Sequence, residues 1–253
     1  MYDLTTTAQN VSDWSALGVD LPASLTKPLG LLEEARWVEA PVPVVDLDKL
    51  TAKNLGQAVE QVTDDLLRAE KHAQAKRVVL DKIARRVLQE AGAAVPGIIE
   101  QLNPRFDAAA AVFREAAGKL PEDLTADALV KAGPEALVAL GEARTAAATI
   151  RGIDSWLASL RGIPAYSLHN PHPSLRVFAP ETPDQLRVLV KAHNDPNVDP
   201  LVRDLGPVLL VGIRAGVPTA LHTPDDAAQL ERQLEDEAAA AARRLPRGVT
   251  TLR

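Results

Sequence analysis

Five histidines are this chain's neutral-pH bases, and two stand three apart in Tyr166-Ser-Leu-His169-Asn-Pro-His172-Pro. Two imidazoles at that spacing could share a divalent metal, with His193 or His222 as a third ligand. Against this, no Asp or Glu adjoins His169 or His172 to orient a ring. A proline-rich connector also makes exposed loop histidines the plainer reading, so the expected metal and cofactor complement is none. There are no cysteines, which excludes disulfides, thiolate metal sites and thiol catalysis.

Other catalytic patterns are missing. No Gly-x-Ser-x-Gly elbow presents a serine, and neither Gly-x-Gly-x-x-Gly nor a Walker loop cradles a phosphate. The carboxylate pairs Asp64-Asp65 and Asp225-Asp226 sit where solvated helix faces and N-terminal turns favour them. The chain is expected not to be an enzyme.

One charge pattern remains. From Arg68 to Arg86 seven cations (Arg68, Lys71, Lys76, Arg77, Lys82, Arg85, Arg86) face only Glu70 and Asp81, leaving +5. Such a stripe could meet a phosphate backbone. However, the region has no aromatics for base stacking, and the whole chain carries −6. A solvated or subunit-facing stripe is the simpler outcome, with Arg68, Lys71, Arg77, Lys82, Arg85 and Arg86 as the polyanion contacts if it binds one.

The element that holds this stripe organises the rest. Between Asp48 and Ala93, apolar or small residues recur at Leu55, Val59, Val62, Leu66, Ala69 and Ala73, then at Leu80, Ile83 and Val87. The steps alternate four and three, and only Lys76 interrupts them. A seven-residue seam predicts a helix lying along another helix. A charged residue in such a seam fixes register or partner, or else snorkels past it. Asp46, Asp48 and Thr51 offer capping oxygens, and Gly92 and Pro96 suggest the end of the helix. A second helix is expected over 96–117, a short one over 122–131, and a third over 134–161. The third buries Leu137, Leu140, Ala143, Ala147, Ile150, Ile153, Leu157 and Leu160. An antiparallel register setting Ala69 and Ala73 beside Ala143 and Ala147 places small residues against small ones. Leu67, Val78, Val79 and Leu88 lie off the seam, as candidates for a second contact.

The expected fold class is therefore mainly α: a long antiparallel, coiled-coil-like helical hairpin or bundle, followed by a small α+β domain. The domains run 1–47 (an extended N-terminal arm), 48–162 (the helices) and 163–253 (the α+β unit). In the arm, Leu29–Trp37 reads as two helical turns and Val42–Val45 as an edge piece. In the last domain, Leu175–Phe178 reads as a strand. Val208–Ile213 and Val217–Leu221 bracket Arg-Ala-Gly as a β-hairpin. Thr182-Pro183-Asp184 and Thr223-Pro224-Asp225 start helices.

With 253 residues and 46% apolar composition, the chain can form a substantial core. It shows no basic start with an apolar run of leader type, and no apolar stretch long enough to cross a bilayer. The expectation is a soluble protein of the cytoplasm or of a virion, without membrane contact. Its partners are expected to be proteins, in a homo-oligomer or larger assembly, with nucleic acid as the alternative. Phage virion and scaffold components often have this shape, an analogy of architecture alone.

Overall fold

The computed structural model describes residues 4–39 and 50–244. They are mostly helical, with almost no strand. In order they form α1 (Leu4–Asn10), a 3-10 turn at Val11–Leu17, α2 (Ala23–Arg36), α3 (Leu55–Lys119), α4 (Ala126–Ala132) and α5 (Pro134–Ser159). Short 3-10 turns follow, then α6 (Pro183–His193), α7 (Pro200–Leu205), α8 (Pro207–Arg214) and α9 (Pro224–Arg244). No described helix is long and apolar enough to cross a membrane. Two compact units emerge: residues 1–16 with 20–94, and residues 17–19 with 95–253.

The expected extended arm is instead helical over 4–17 and 23–36. Leu25, Pro28 and Leu32 share one buried face of α2, while Leu31 and Trp37 stay exposed and Trp37 donates to Glu33. The edge piece 42–45 and the caps Asp46 and Asp48 lie outside the described residues. Asn54 precedes the first turn of α3: its carbonyl accepts from Ala58 N, and its side chain accepts from the amide and hydroxyl of Thr51.

α3 continues for 65 residues through Gly92, Pro96 and Pro104, where the sequence suggested an end and a second helix. A proline inside a helix removes one hydrogen bond and costs about 3 kcal/mol. Both prolines lie on the exposed side, while Ala91, Val95, Ile98, Leu102 and Phe106 are buried around them. Burying a large apolar side chain gains roughly 1.5–3 kcal/mol, so the burial outweighs the interruptions.

In the second unit α4 starts on Thr125, whose hydroxyl accepts from Ala128 N, and ends at Gly133 with φ +87°. α5 buries the expected alanines and branched residues, with one correction: Leu137 is exposed, and Ala136, Ala139, Ala146 and Trp156 are buried instead. Ala109 and Val112 of α3 border a groove together with Val138, Gly141 and Ala146 of α5, so α3 runs beside α5 at 105–112.

The predicted β-hairpin does not form. Val208–Ile213 is helical, because Pro207 stands at the first helical position and Gly216 closes the end at φ +70°. Val217 N bonds to Gly212 O and Gly216 N to Ile213 O, the Schellman pattern. Leu209, Leu210, Gly212 and Ile213 are buried, a helical spacing. The extended segment after it pairs elsewhere: Phe178 and Thr219 form an isolated antiparallel bridge, with Ala179 N bonded to Pro218 O and Ala220 N to Val177 O. Leu175, read as strand, sits in the 3-10 turn Pro173–Arg176.

Gly212 is required by packing. A Cβ there would meet the Phe178 ring at 2.6 Å and Leu189 at 2.7 Å. Two residues further on, at the last position of α8, the Arg214 guanidinium donates to the carbonyls of Glu122 (2.8 Å) and Pro121 (2.7 Å), holding the loop after α3. Both expected helix starts on Thr-Pro-Asp occur, at Thr182 and at Thr223, where Thr223 and Asp226 cap one another reciprocally.

Candidate functional sites

The seam residues divide sharply along α3. Leu55, Val59 and Leu66 are each more than half exposed, and Ala73 is exposed as well. Val62, Ala69, Lys76, Leu80 and Ile83 are half-buried, and Val87 is fully buried. At 100° per residue, Leu55, Val59, Leu66 and Ala73 share the face that Ala84, Leu88 and Ala91 continue. On that face Leu55, Val59, Leu66 and Ala73 are exposed, Val62 and Ala69 are half-buried, and Ala84, Leu88 and Ala91 are buried. Of the residues off the seam, Leu67, Val78 and Val79 are exposed, and Leu88 is buried.

Lys76 has a definite role. Its ammonium donates to Arg36 O (2.6 Å) and Val38 O (2.8 Å), the carbonyl end of α2, where a cation complements the helix dipole. A long basic side chain in the seam thus ties α2 to α3 within the first unit, a use the sequence did not reveal.

The basic stripe is largely committed along its own helix. Arg68 pairs with Asp65 (3.5 Å), Arg85 with Asp81 (2.9 Å) and Arg86 with Glu90 (2.6 Å), while Lys71 donates to Gln74. Arg77 and Lys82 have no ion pair among the described residues and border a shallow groove with Val78. Exposed pairs of this kind contribute well under 1 kcal/mol each.

The histidines arrange differently from the expected pair. His172 meets His193, with ring centroids 5.0 Å apart and planes at 79°; His169 is not part of that contact. The Ser174 amide and hydroxyl both reach His172 Nδ1, at 3.4 and 2.7 Å. With the ring neutral, Nδ1 accepts both bonds and the proton sits on Nε2. Burial, then His193 and Arg176, hold the His172 pKa below the ordinary value of 6.5. His222 Nδ1 lies 2.8 Å from Leu175 O. Among the described residues no three His, Cys, Asp or Glu side chains are grouped to hold a metal.

A serine hydroxyl on a histidine nitrogen resembles an activated nucleophile. Here the bond caps the 3-10 turn Pro173–Arg176, and the buried Nε2 has no hydrogen-bond partner among the described residues. Among the described residues, no third group orients this ring as the acid of a catalytic triad does.

Beside this turn lies a cavity of about 260 Å³, lined from α5, the turn, and the α7–α8 junction. Arg176 spans one wall, its Nε and Nη2 donating to the two carboxylate oxygens of Asp154 at 2.6 and 3.1 Å. Both partners are well shielded, with side chains 17% and 31% exposed. The sequence reading missed this pair, because residues 22 apart carry no periodic signal.

No family model, no curated protein and no solved structure matches this chain.

Proposed function

We propose that the chain is a structural, assembly-type protein that pairs with a second copy of itself along 55–80 of α3, as a short antiparallel coiled coil. The observation that carries this reading is the row of exposed apolar or small residues Leu55, Val59, Leu66 and Ala73, with Val62 and Ala69 half-buried beside them, on a helix whose same face is buried further on. Exposed apolar stripes of this regularity mark interaction surfaces.

Charge selects the occupant and its direction. Residues 55–67 hold three acids (Glu60, Asp64, Asp65) and no base. Residues 68–80 hold four bases (Arg68, Lys71, Lys76, Arg77) and one acid (Glu70). An antiparallel copy sets a −3 half against a +3 half twice, whereas a parallel copy sets like against like. The same arrangement meets Leu55 with Leu80, Val62 with Ala73 and Leu66 with Ala69. It also gives the basic stripe a protein partner in place of nucleic acid, and it requires no catalysis. Membership of a larger scaffold, virion-like or otherwise, would build on this contact.

Sedimentation equilibrium across a concentration series tests it. The expected result is a monomer–dimer equilibrium that weakens with added salt, since the flanking charges are solvent-exposed. The absence of native cysteines makes cross-linking clean: Leu55→Cys mixed with Leu80→Cys should form a heterodimeric disulfide faster than either variant alone. A monomer at all concentrations, or preferential Leu55→Cys self-cross-linking, would overturn the reading.

A further inference from the structure

We propose that the cavity between α5, the 173–176 turn and the start of α8 binds a small monocarboxylate with an apolar body. The proposal is independent of self-pairing, since every residue involved lies in the second unit.

Three features carry it. The first is shape: a volume of about 260 Å³ lies near the lower end of ligand-pocket sizes, roughly 300–1,000 Å³. It is walled by Ile150, Phe178, Leu205 and Leu209, which suits a short branched or aromatic body. The second is charge: Arg151 and Arg176 line the cavity with Asp154 as the one carboxylate, a formal balance of +1 that matches a single negative charge. The third is unused donors. Arg176 commits Nε and Nη2 to Asp154, and no described protein group takes its Nη1. Arg151 spends Nη1 on Asp204 O. A guanidinium held in place by one carboxylate and still offering a free edge binds a second planar oxyanion in the same manner.

The start of α8 adds to this. Pro207 has no amide proton, Gly206 provides no side-chain cap, and the first backbone bond inside the helix comes from Leu210 N. The amides of Val208 and Leu209, both residues of the cavity wall, are therefore left to an outside acceptor. A dianion would exceed the local charge, and the mostly apolar wall would desolvate it at high cost.

The test is calorimetric titration of the full chain with phenylacetate and isovalerate, with phenylacetamide and inorganic phosphate as controls. Saturable binding of at least one acid is expected, with phenylacetamide weaker by about tenfold or more. Val208→Trp, which fills the cavity, should abolish binding, and Arg151→Gln should weaken it, both with unchanged circular dichroism. Three results would overturn the assignment: neither acid binding saturably, phenylacetamide or phosphate binding as well as the acids, or full affinity in Val208→Trp. Dimerisation of the wild type would be unaffected by any of these, so the two proposals fail separately.

Discussion

Over 84–91, α3 buries Ala84, Val87, Leu88 and Ala91, whereas over 55–73 the same face leaves Leu55, Val59, Leu66 and Ala73 in solvent. Both stretches belong to the first unit and both follow the same alternation of three and four. They differ in their flanks. Positions 60–71 carry six charged side chains, Glu60, Asp64, Asp65, Arg68, Glu70 and Lys71, which stay hydrated when a partner is absent. From Ala91 to Ala94 the helix is alanine and glycine, which neighbouring elements can approach closely, and just before it Arg86 and Glu90 pair with one another. A hydrophobic period therefore says which face is apolar and leaves open whether the chain covers it itself.

The widest separation between the two stretches should come from one substitution placed in each. Val87→Asp buries a carboxylate with no partner and should cost about 4 kcal/mol or more, read by urea unfolding. A loss under about 1 kcal/mol would mean that Val87 is not part of a closed core. Within the packed second unit, Gly212→Ala calibrates how tight a covered helix face is. With Phe178 and Leu189 in the way, overpacking should cost about 1–3 kcal/mol, and a neutral result would show that the ring yields freely.

A smaller effect should appear with pH. His172 is held neutral in the folded state, so the unfolded chain takes up its proton first as acid is added. Stability should be flat above about pH 6.5, the unperturbed histidine value, and decline below it until the folded-state pKa is passed. His172→Gln should remove that decline, and an unchanged pH profile would mean that His172 does not cause it. The smallest effect belongs to the bare stretch. Leu66→Asp should leave the unfolding midpoint of the dilute monomer within about 0.5 kcal/mol of wild type while abolishing self-association. If it unfolds the monomer as Val87→Asp does, the contrast between the stretches disappears.

How much of this was legible depends on the range of the interaction. Local chemistry was readable: the threonine caps at 182 and 223, the course of α5 and the helical course of 55–93 all follow from backbone geometry within a few residues. Misreadings arose where burial decides. Val208–Ile213 is β-branched and looked like strand, yet Pro207 and Gly216 punctuate it as a helix that fits against Phe178 and Leu189. Gly92 and Pro96 read as an end or turn of the helix, yet their penalties are smaller than the core they interrupt. The histidine loop points to His169 and His172 sharing a site with His193 or His222, whereas the ring contact in the structure joins His172 and His193. His172 meets His193, and Arg176 meets Asp154, across intervals with no period.

The sequence alone determined the helical course of 55–93 and of α5, the capped starts at Thr182 and Thr223, and which face of α3 is apolar, because those depend on contacts three or four residues apart. Tertiary structure decided that α3 runs on through its prolines, that Lys76 caps α2, and that Arg176 and Asp154 share one wall. Those outcomes weigh a local cost against burial and charge pairing between distant segments, and that balance exists only once the chain has folded.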